Sequence, residues 1–283
     1  MSSQTRGLEI RDERLESALP VSYPLRDFAR FAFSQLGPFL VFVMKEQIAL
    51  ATLLDEACLW RYNQLLIQDL ENPVNVELLT CRRMTVGLVY PPYQLQPPHV
   101  NRIYADITER YPYQTLQHLP DGARMANPMG DFFIQTTRMQ VNETVDHFQS
   151  SKEKSVDLFQ LAQSKLSIPQ FATFGIKLTA FLPVPDGPNA AQLLENTAFG
   201  AIKNNLELLG PGRQGAGLRI VLHQDGVHEL KIEPFFGDLT QLYVELDVQH
   251  PTPFNDLSVV EPRMDAAYDY LFREAKGFLE TLV

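Results

Sequence analysis

Apolar residues recur at helical spacing from Leu25 to Leu70, broken at Gly37-Pro38, so the first part of the chain is expected to form two or more helices. Leu50, Leu53, Leu54, Ala57, Leu65 and Leu66 would line the buried side of the second, which ends near Asn72-Pro73. Val74 to Leu79 is expected to be a short strand. From Met84 the period changes. Met84 to Tyr90 reads as a strand, Val100 to Arg110 as a helix, the region near Gln114 and then Phe132 to Val141 as strands, and Val156 to Leu166 as a helix.

The order then begins again. Phe171 to Pro183 predicts a strand, Ala190 to Leu209 a helical stretch, and Leu218 to Val248 a three-strand meander before a long last helix. Within the meander, Asp225-Gly226 fits a two-residue hairpin turn, which would set Gln224 opposite Val227 and His223 opposite His228. Phe236-Gly237-Asp238 turns the chain into a strand where Leu242, Val244, Leu246 and Val248 alternate with Tyr243, Glu245 and Asp247. One face is therefore dry, and Leu230 and Ile232 share it. Pro262 suits a first helical turn, and Met264, Tyr268, Leu271, Ala275, Phe278 and Leu282 form a stripe expected to cover that dry face. At about 1.5–3 kcal/mol for each large side chain buried, this docking would be a main support of the second half.

The expected fold class is α+β: two tandem βαββα-type units with antiparallel sheet and a long C-terminal helix, behind an N-terminal helical segment. The expected divisions are 1–80 for that segment, 81–170 for the first unit and 171–283 for the second, packed with the first. Arg138-Met139-Gln140-Val141-Asn142, a helix, and then Phe174-Gly175-Ile176-Lys177-Leu178 opening the second copy give the chain a further likeness. Over residues 82–283 this order resembles a sporadically distributed bacterial family of uncharacterised duplicated α+β proteins. The resemblance implies the duplicated fold and no activity. Members usually carry an arginine-tyrosine-asparagine pattern in the strand that reads Ile176 to Phe181 in this chain, and the helical segment before residue 80 is atypical of them.

Charge narrows the partners. With 34 acidic against 24 basic residues, the formal charge of −10 opposes accumulation on nucleic-acid phosphates. Arg102, Arg110, Arg124 and Arg138 would have to gather into one stripe to overcome it. Cys58 and Cys81 stand far apart, without ligand-spaced neighbours, and read as reduced thiols. The polar start, Met1 to Arg14, has no apolar core of a signal peptide, and the apolar stretch Phe31 to Met44 is interrupted and too short to span a bilayer. A cytoplasmic protein that does not enter membranes is expected.

Candidate chemistry is sparse. Gly210-Pro211-Gly212-Arg213-Gln214-Gly215 matches a dinucleotide fingerprint in letters, but it follows a helix and precedes a strand, the reverse of what a phosphate cradle needs. Gly210 then reads as a helix C-terminal residue, with Arg213 the one charge available to an anion. His223 and His228, if directly opposed, could share a ligand or a proton, yet two ligands rarely hold zinc. Glu229, Glu233, Glu245 and Asp247 share the wet face and read as solvated surface. No metal site and no cofactor is expected. Three functions compete: a non-enzymatic interaction or scaffold protein, self-associating or binding a protein through sheet edges and an aromatic surface including Tyr90, Tyr93, Tyr111 and Tyr113; a small-molecule binder or enzyme with a cavity between the C-terminal sheet and helix, its mouth carrying His223 and His228; and, against the net charge, a nucleic-acid binder.

Overall fold

The computed structural model describes residues 74–282, apart from 186–188 and 211; the helices expected between Leu25 and Leu70 lie outside the described residues. Val76–Leu78 is a 3-10 turn rather than the expected strand, because the Asn75 side chain accepts the Glu77 amide and closes the backbone on itself. Nine strands follow: β1 (Thr80–Val89), β2 (Thr115–Leu119), β3 (Gly122–Asn127), β4 (Gly130–Gln135), β5 (Arg138–Thr144), β6 (Thr173–Pro183), β7 (Leu218–Gln224), β8 (Gly226–Pro234) and β9 (Gln241–His250). They form one antiparallel sheet in the order β2-β3-β4-β5-β1-β6-β9-β8-β7. The mixed α+β class is as expected.

The strand count departs from βαββα. Between α1 (Pro97–Thr108) and α2 (Phe148–Leu166) there are four strands, because Phe132 to Val141 is split by a bend at Thr136 and Thr137, and Gly122 opens a further strand. The Asn127 side chain accepts the amides of Met129 and Gly130, each at 2.9 Å, and so turns β3 into β4. In the second half the expected helix over 190–209 is broken into α3 (Ala190–Asn196), a 3-10 turn, the short α4 (Lys203–Leu206) and a second 3-10 turn that ends at Gly210, φ +103°. Gly210 is the terminating glycine that its place suggested.

Alternation fixes which face is dry. On β1 the buried positions are Cys81, Met84, Val86 and Leu88, and the odd step from 81 to 84 is absorbed by a bulge between Cys81 and Arg83. The same face carries Phe132, Ile134, Met139, Val141, Phe174, Ile176, Leu178, Leu230, Ile232, Leu242, Val244, Leu246 and Val248, all buried. The helices gather on this side, with α1 on α2 and β3, α2 on β5, and α3 on β8.

The last helix runs as α5 (Val260–Tyr270), a π-helical turn (Leu271–Ala275) and α6 (Lys276–Leu282). Its buried line is Val260, Met264, Ala267, Leu271, Ala275 and Leu279. Of the expected stripe, Met264, Leu271 and Ala275 are in the core, whereas Tyr268, Phe278 and Leu282 are half-buried at its margin. The extra residue of the π-turn rotates the following turn, so Leu279 takes the place expected of Phe278. The helix also sits further along the sheet than expected. It packs over β6 and against α2, where Lys152 Nζ, almost wholly buried, reaches Asp265 at 2.8 Å and Glu261 at 3.1 Å. It meets the meander through Tyr270, whose ring lies 4.9 Å from that of His228.

Leu246 is fully buried on the dry face, between Leu178 of β6 and Leu230 of β8. Leu246→Ala is expected to lower stability by about 2–5 kcal/mol in urea titrations, the cost of a cavity that rigid neighbours cannot fill.

Candidate interaction surface

The reversal at Asp225 is tighter than a two-residue turn. Gln224 pairs with Gly226, whose φ is +107°, so His223 stands opposite Val227 and His228 opposite Leu222. The two histidines therefore point to opposite faces and cannot share a ligand, which corrects the expected pair. Core formation decides the slip. The expected register would set Ile220 against Lys231 and Leu222 against Glu229, whereas the observed one sets Leu218, Ile220 and Leu222 beside Ile232, Leu230 and His228 on one face. Gly226 is needed there, since a methyl group on it would lie 2.7 Å from the Gln249 carbonyl oxygen. His228 is buried with Nδ1 unpartnered, and burial holds its pKa below the ordinary 6.5. His223 is exposed on the open face.

Arg213 is held by Glu195 at 2.9 Å, with Nε and Nη1 buried and unpartnered, beside a cleft of about 370 Å³ lined also by Glu207, Gly210 and Gly212. The carboxylates of Glu195 and Glu207 outweigh the guanidinium, so the charge around the cleft does not favour a phosphate. Three members of the acidic row of the meander, Glu229, Glu245 and Asp247, are ion-paired. Arg219 reaches Glu229 at 2.6 Å, Lys231 reaches Glu245 at 2.9 Å, and Lys177 bridges Glu245 and Asp247 at 3.3 and 3.2 Å. Burial works to raise the Glu245 carboxyl, but hydrogen bonds from Tyr243 and Lys231 and the nearby Lys177 hold it below its usual range.

Of the tyrosines expected at a contact surface, Tyr90 and Tyr113 are core residues, and Tyr93 and Tyr111 are half-buried. The Tyr90 hydroxyl donates to the Gln135 carbonyl at 2.5 Å. Lys154 Nζ lies 4.7 Å from the centre of the Tyr113 ring and pairs with Glu143 at 2.6 Å, while burial pushes the Glu143 carboxyl up in spite of that partner. Cys81 is buried with its thiol pushed up to about 11, which keeps it protonated and inert at neutral pH.

Two features remain that local patterning did not single out. One is the outer edge of β7. Among the described residues, no strand pairs with it on that side and no backbone hydrogen bond closes it. It runs seven residues without a proline or a bulge, and its one charge, Arg219, is neutralised by its own neighbour Glu229. Natural sheets usually blunt such an edge. The opposite edge, β2, is blunter: five residues closed by Pro120, with apolar side chains only at Leu116 and Leu119. Exposed apolar side chains are also frequent in the stretch of chain that contains β7. Of eight large ones exposed among the described residues, five lie between 202 and 236: Ile202, Leu208 (85%), Leu209 (80%), Val221 (48%) and Phe236 (53%).

The other feature is a trough of about 250 Å³ on the open face, over β5, β1, β6 and β9. A row across these strands reads Gln140, Gly87, Gly175, Gln249, since Gly87 pairs with both Gln140 and Gly175, and Gly175 with Gln249. Thr85, Lys177, Asp247 and Arg138 stand around it. Further clefts of about 370 and 300 Å³ flank the turn at Asn127–Gly130 and share Glu143 and Thr144. His223 and His228 line none of these four clefts, and the space beneath β8 and β9 is filled by Leu230, Ile232, Val244 and Leu246.

No protein-family model matches the chain, and a search of curated proteins finds no significant match. No helix of the described residues is long and apolar enough to cross a membrane.

His228 binds a proton more weakly folded than unfolded, so the stability it contributes is present above about pH 6.5 and is lost as pH falls below that value. His228→Leu is expected to lose less of its thermal stability than the parent chain between about pH 7.5 and pH 5. Equal losses in the two would place the acid sensitivity elsewhere.

Proposed function

We propose that the chain is a non-enzymatic interaction protein of a bacterial cytoplasm, which takes a strand of a protein partner, or of another copy of itself, on the outer edge of β7. The observation that carries the reading is a seven-residue edge, unpaired among the described residues, that carries four apolar side chains, one of them the exposed Val221, and a single charge already paired with Glu229. Main-chain hydrogen bonds along the edge would supply affinity, and the alternating side chains Arg219, Val221 and His223 on one face and Ile220 and Leu222 on the other would supply selectivity. The dry side is spent on packing, and Glu229, Glu245 and Asp247 of the wet side are engaged with lysine and arginine, which leaves little for catalysis.

The fold also favours an origin by tandem duplication. β1 and β6, which open the two halves, pair with each other, and each pairs on its other side with the strand that ends the following meander, β5 or β9. A duplicated core of this kind supplies rigidity around a fixed edge and requires no chemistry.

A second reading, small-molecule binding in the trough, is favoured by one observation. A methyl group on Gly87 or Gly175 would meet nothing nearer than 3.7 or 3.9 Å, so neither glycine is required by the packing around it. Glycine in a strand interior weakens the strand, and the open space above the pair is a reason to keep it.

Affinity capture from the producing cell separates the two readings. A partner held by the parent chain and lost from Val221→Lys supports the edge reading; the same set of proteins on both chains would reject it. For the trough, each of Gly87→Ala and Gly175→Ala is expected to stabilise the fold by about 0.5–1 kcal/mol. A fragment screen by ligand-detected NMR is expected to lose its trough binders in the Gly87→Val, Gly175→Val double variant, and a set of hits unchanged by that variant discards the second reading.

A further inference from the structure

We infer that the occupant of the β7 edge is a second copy of this chain, paired antiparallel about a two-fold axis at Val221; the inference rests on the reading of β7 as the partner-binding edge. An antiparallel strand can pair with its own copy only if residues equidistant from the axis suit each other and lie on the same face. About Val221, Ile220 faces Leu222 of the other copy, Arg219 faces His223, Leu218 faces Gln224, and Val221 faces itself. Ile220 and Leu222 lie on the helix-covered side, so their pairing extends the apolar face from one copy into the next. Val221, 48% exposed, would be covered by its own counterpart.

Charge is compatible with this register. Arg219 is the strand's one formal charge, it is already paired with Glu229, and about Val221 it stands across from a histidine and not from another arginine. Centring the axis on a neighbour is poorer. An axis at Ile220 pairs only 218–222 within the strand and leaves His223 and Gln224 beyond it, while an axis at Leu222 pairs only 220–224 and sets Ile220 against Gln224. Only the Val221 axis engages all seven residues. The product is a continuous sheet across two nine-stranded halves with the helices of both copies on one side. Seven paired residues form a small interface beside the ~1,200–2,000 Å² of a standard one, so the dimer is expected to be concentration-dependent.

The test uses the full chain. Light scattering coupled to size exclusion is expected to report a mass that rises towards the dimer with concentration, and Val221→Lys is expected to remain monomeric with an unchanged circular dichroism spectrum. Val221→Cys is expected to form a disulfide-linked dimer under mild oxidation, because directly opposed residues bring Cα atoms to about 4.5–5.5 Å. His223→Cys is expected not to crosslink beyond the parent chain's background, since the two copies of that position would stand about 14 Å apart along the strands. A monomer at every concentration overturns the self-pairing and leaves the edge reading to the capture experiment. A dimer that survives Val221→Lys and gives no Val221→Cys crosslink forms through another surface and overturns the inference, again leaving the edge reading to the capture experiment.

Discussion

The ladder between β1 and β6 is the interaction on which the rest of this structure depends. It joins strands that begin 93 residues apart, Thr80 and Thr173, and every other strand is added outward from it on one side or the other. Because β1 and β6 run antiparallel and are flanked by β5 and β9, their own faces set which side of the whole sheet is dry. Met84, Val86 and Leu88 lie beside Leu178, Ile176 and Phe174 across the pair, and that apolar patch continues outward through Met139 and Val141 on one flank and Leu246 and Val248 on the other. Helices crowd onto this face and leave the opposite one to polar side chains. Among the described residues the sheet is closed on neither side, and its two outer edges follow from that geometry.

The two faces divide the labour. Below the sheet, burial of aliphatic and aromatic side chains is nearly complete, with two ionic exceptions: Lys152, held between α2 and α5 by two carboxylates, and the buried Lys154–Glu143 pair. Above it, charged groups are engaged with each other in chains such as Arg219-Glu229-Lys231-Glu245-Lys177-Asp247. Groups neutralised in this way stabilise locally and have little remaining capacity to polarise a substrate. Two surfaces that stay uncommitted among the described residues are main-chain and apolar, at the outer side of β7, and sterically empty, over Gly87 and Gly175. Recognition by strand pairing or by shape is consistent with both.

Much of the second half was legible along the chain. The alternation from Leu242 to Val248, the dry pair Leu230 and Ile232 and the terminating role of Gly210 all follow from local rules of period and turn chemistry, and all are present; a reversal at Asp225 is present too, but Gly226 pairs with Gln224 and the expected two-residue turn is not formed. The first half was less so. Phe132 to Val141 is apolar at both ends and carries no glycine or proline at Thr136-Thr137, so nothing local announces that it folds back on itself. The histidine pair failed for a reason outside the turn: a shift of one residue exchanges the faces, and the shift was chosen by which side chains could reach the core. Tyr90 and Tyr113, set among prolines like surface residues, are buried because β1 and the segment before β2 carry them inward.

What the sequence by itself determined is the class of the protein and the polarity of its elements, since hydrophobic period, turn residues and net charge are properties of neighbouring positions. It also contained the edge signal, a run from Leu218 to Leu222 whose single charge is arginine, but whether that run lay at the border of a sheet could not be read from it. Only the tertiary structure decided the strand order, the opposition of Gly87 to Gly175, the one-residue register of β7 on β8, and the offset of the last helix onto β6. Each of these depends on residues distant in the chain competing for one shared core, and that competition is resolved by packing rather than by local preference.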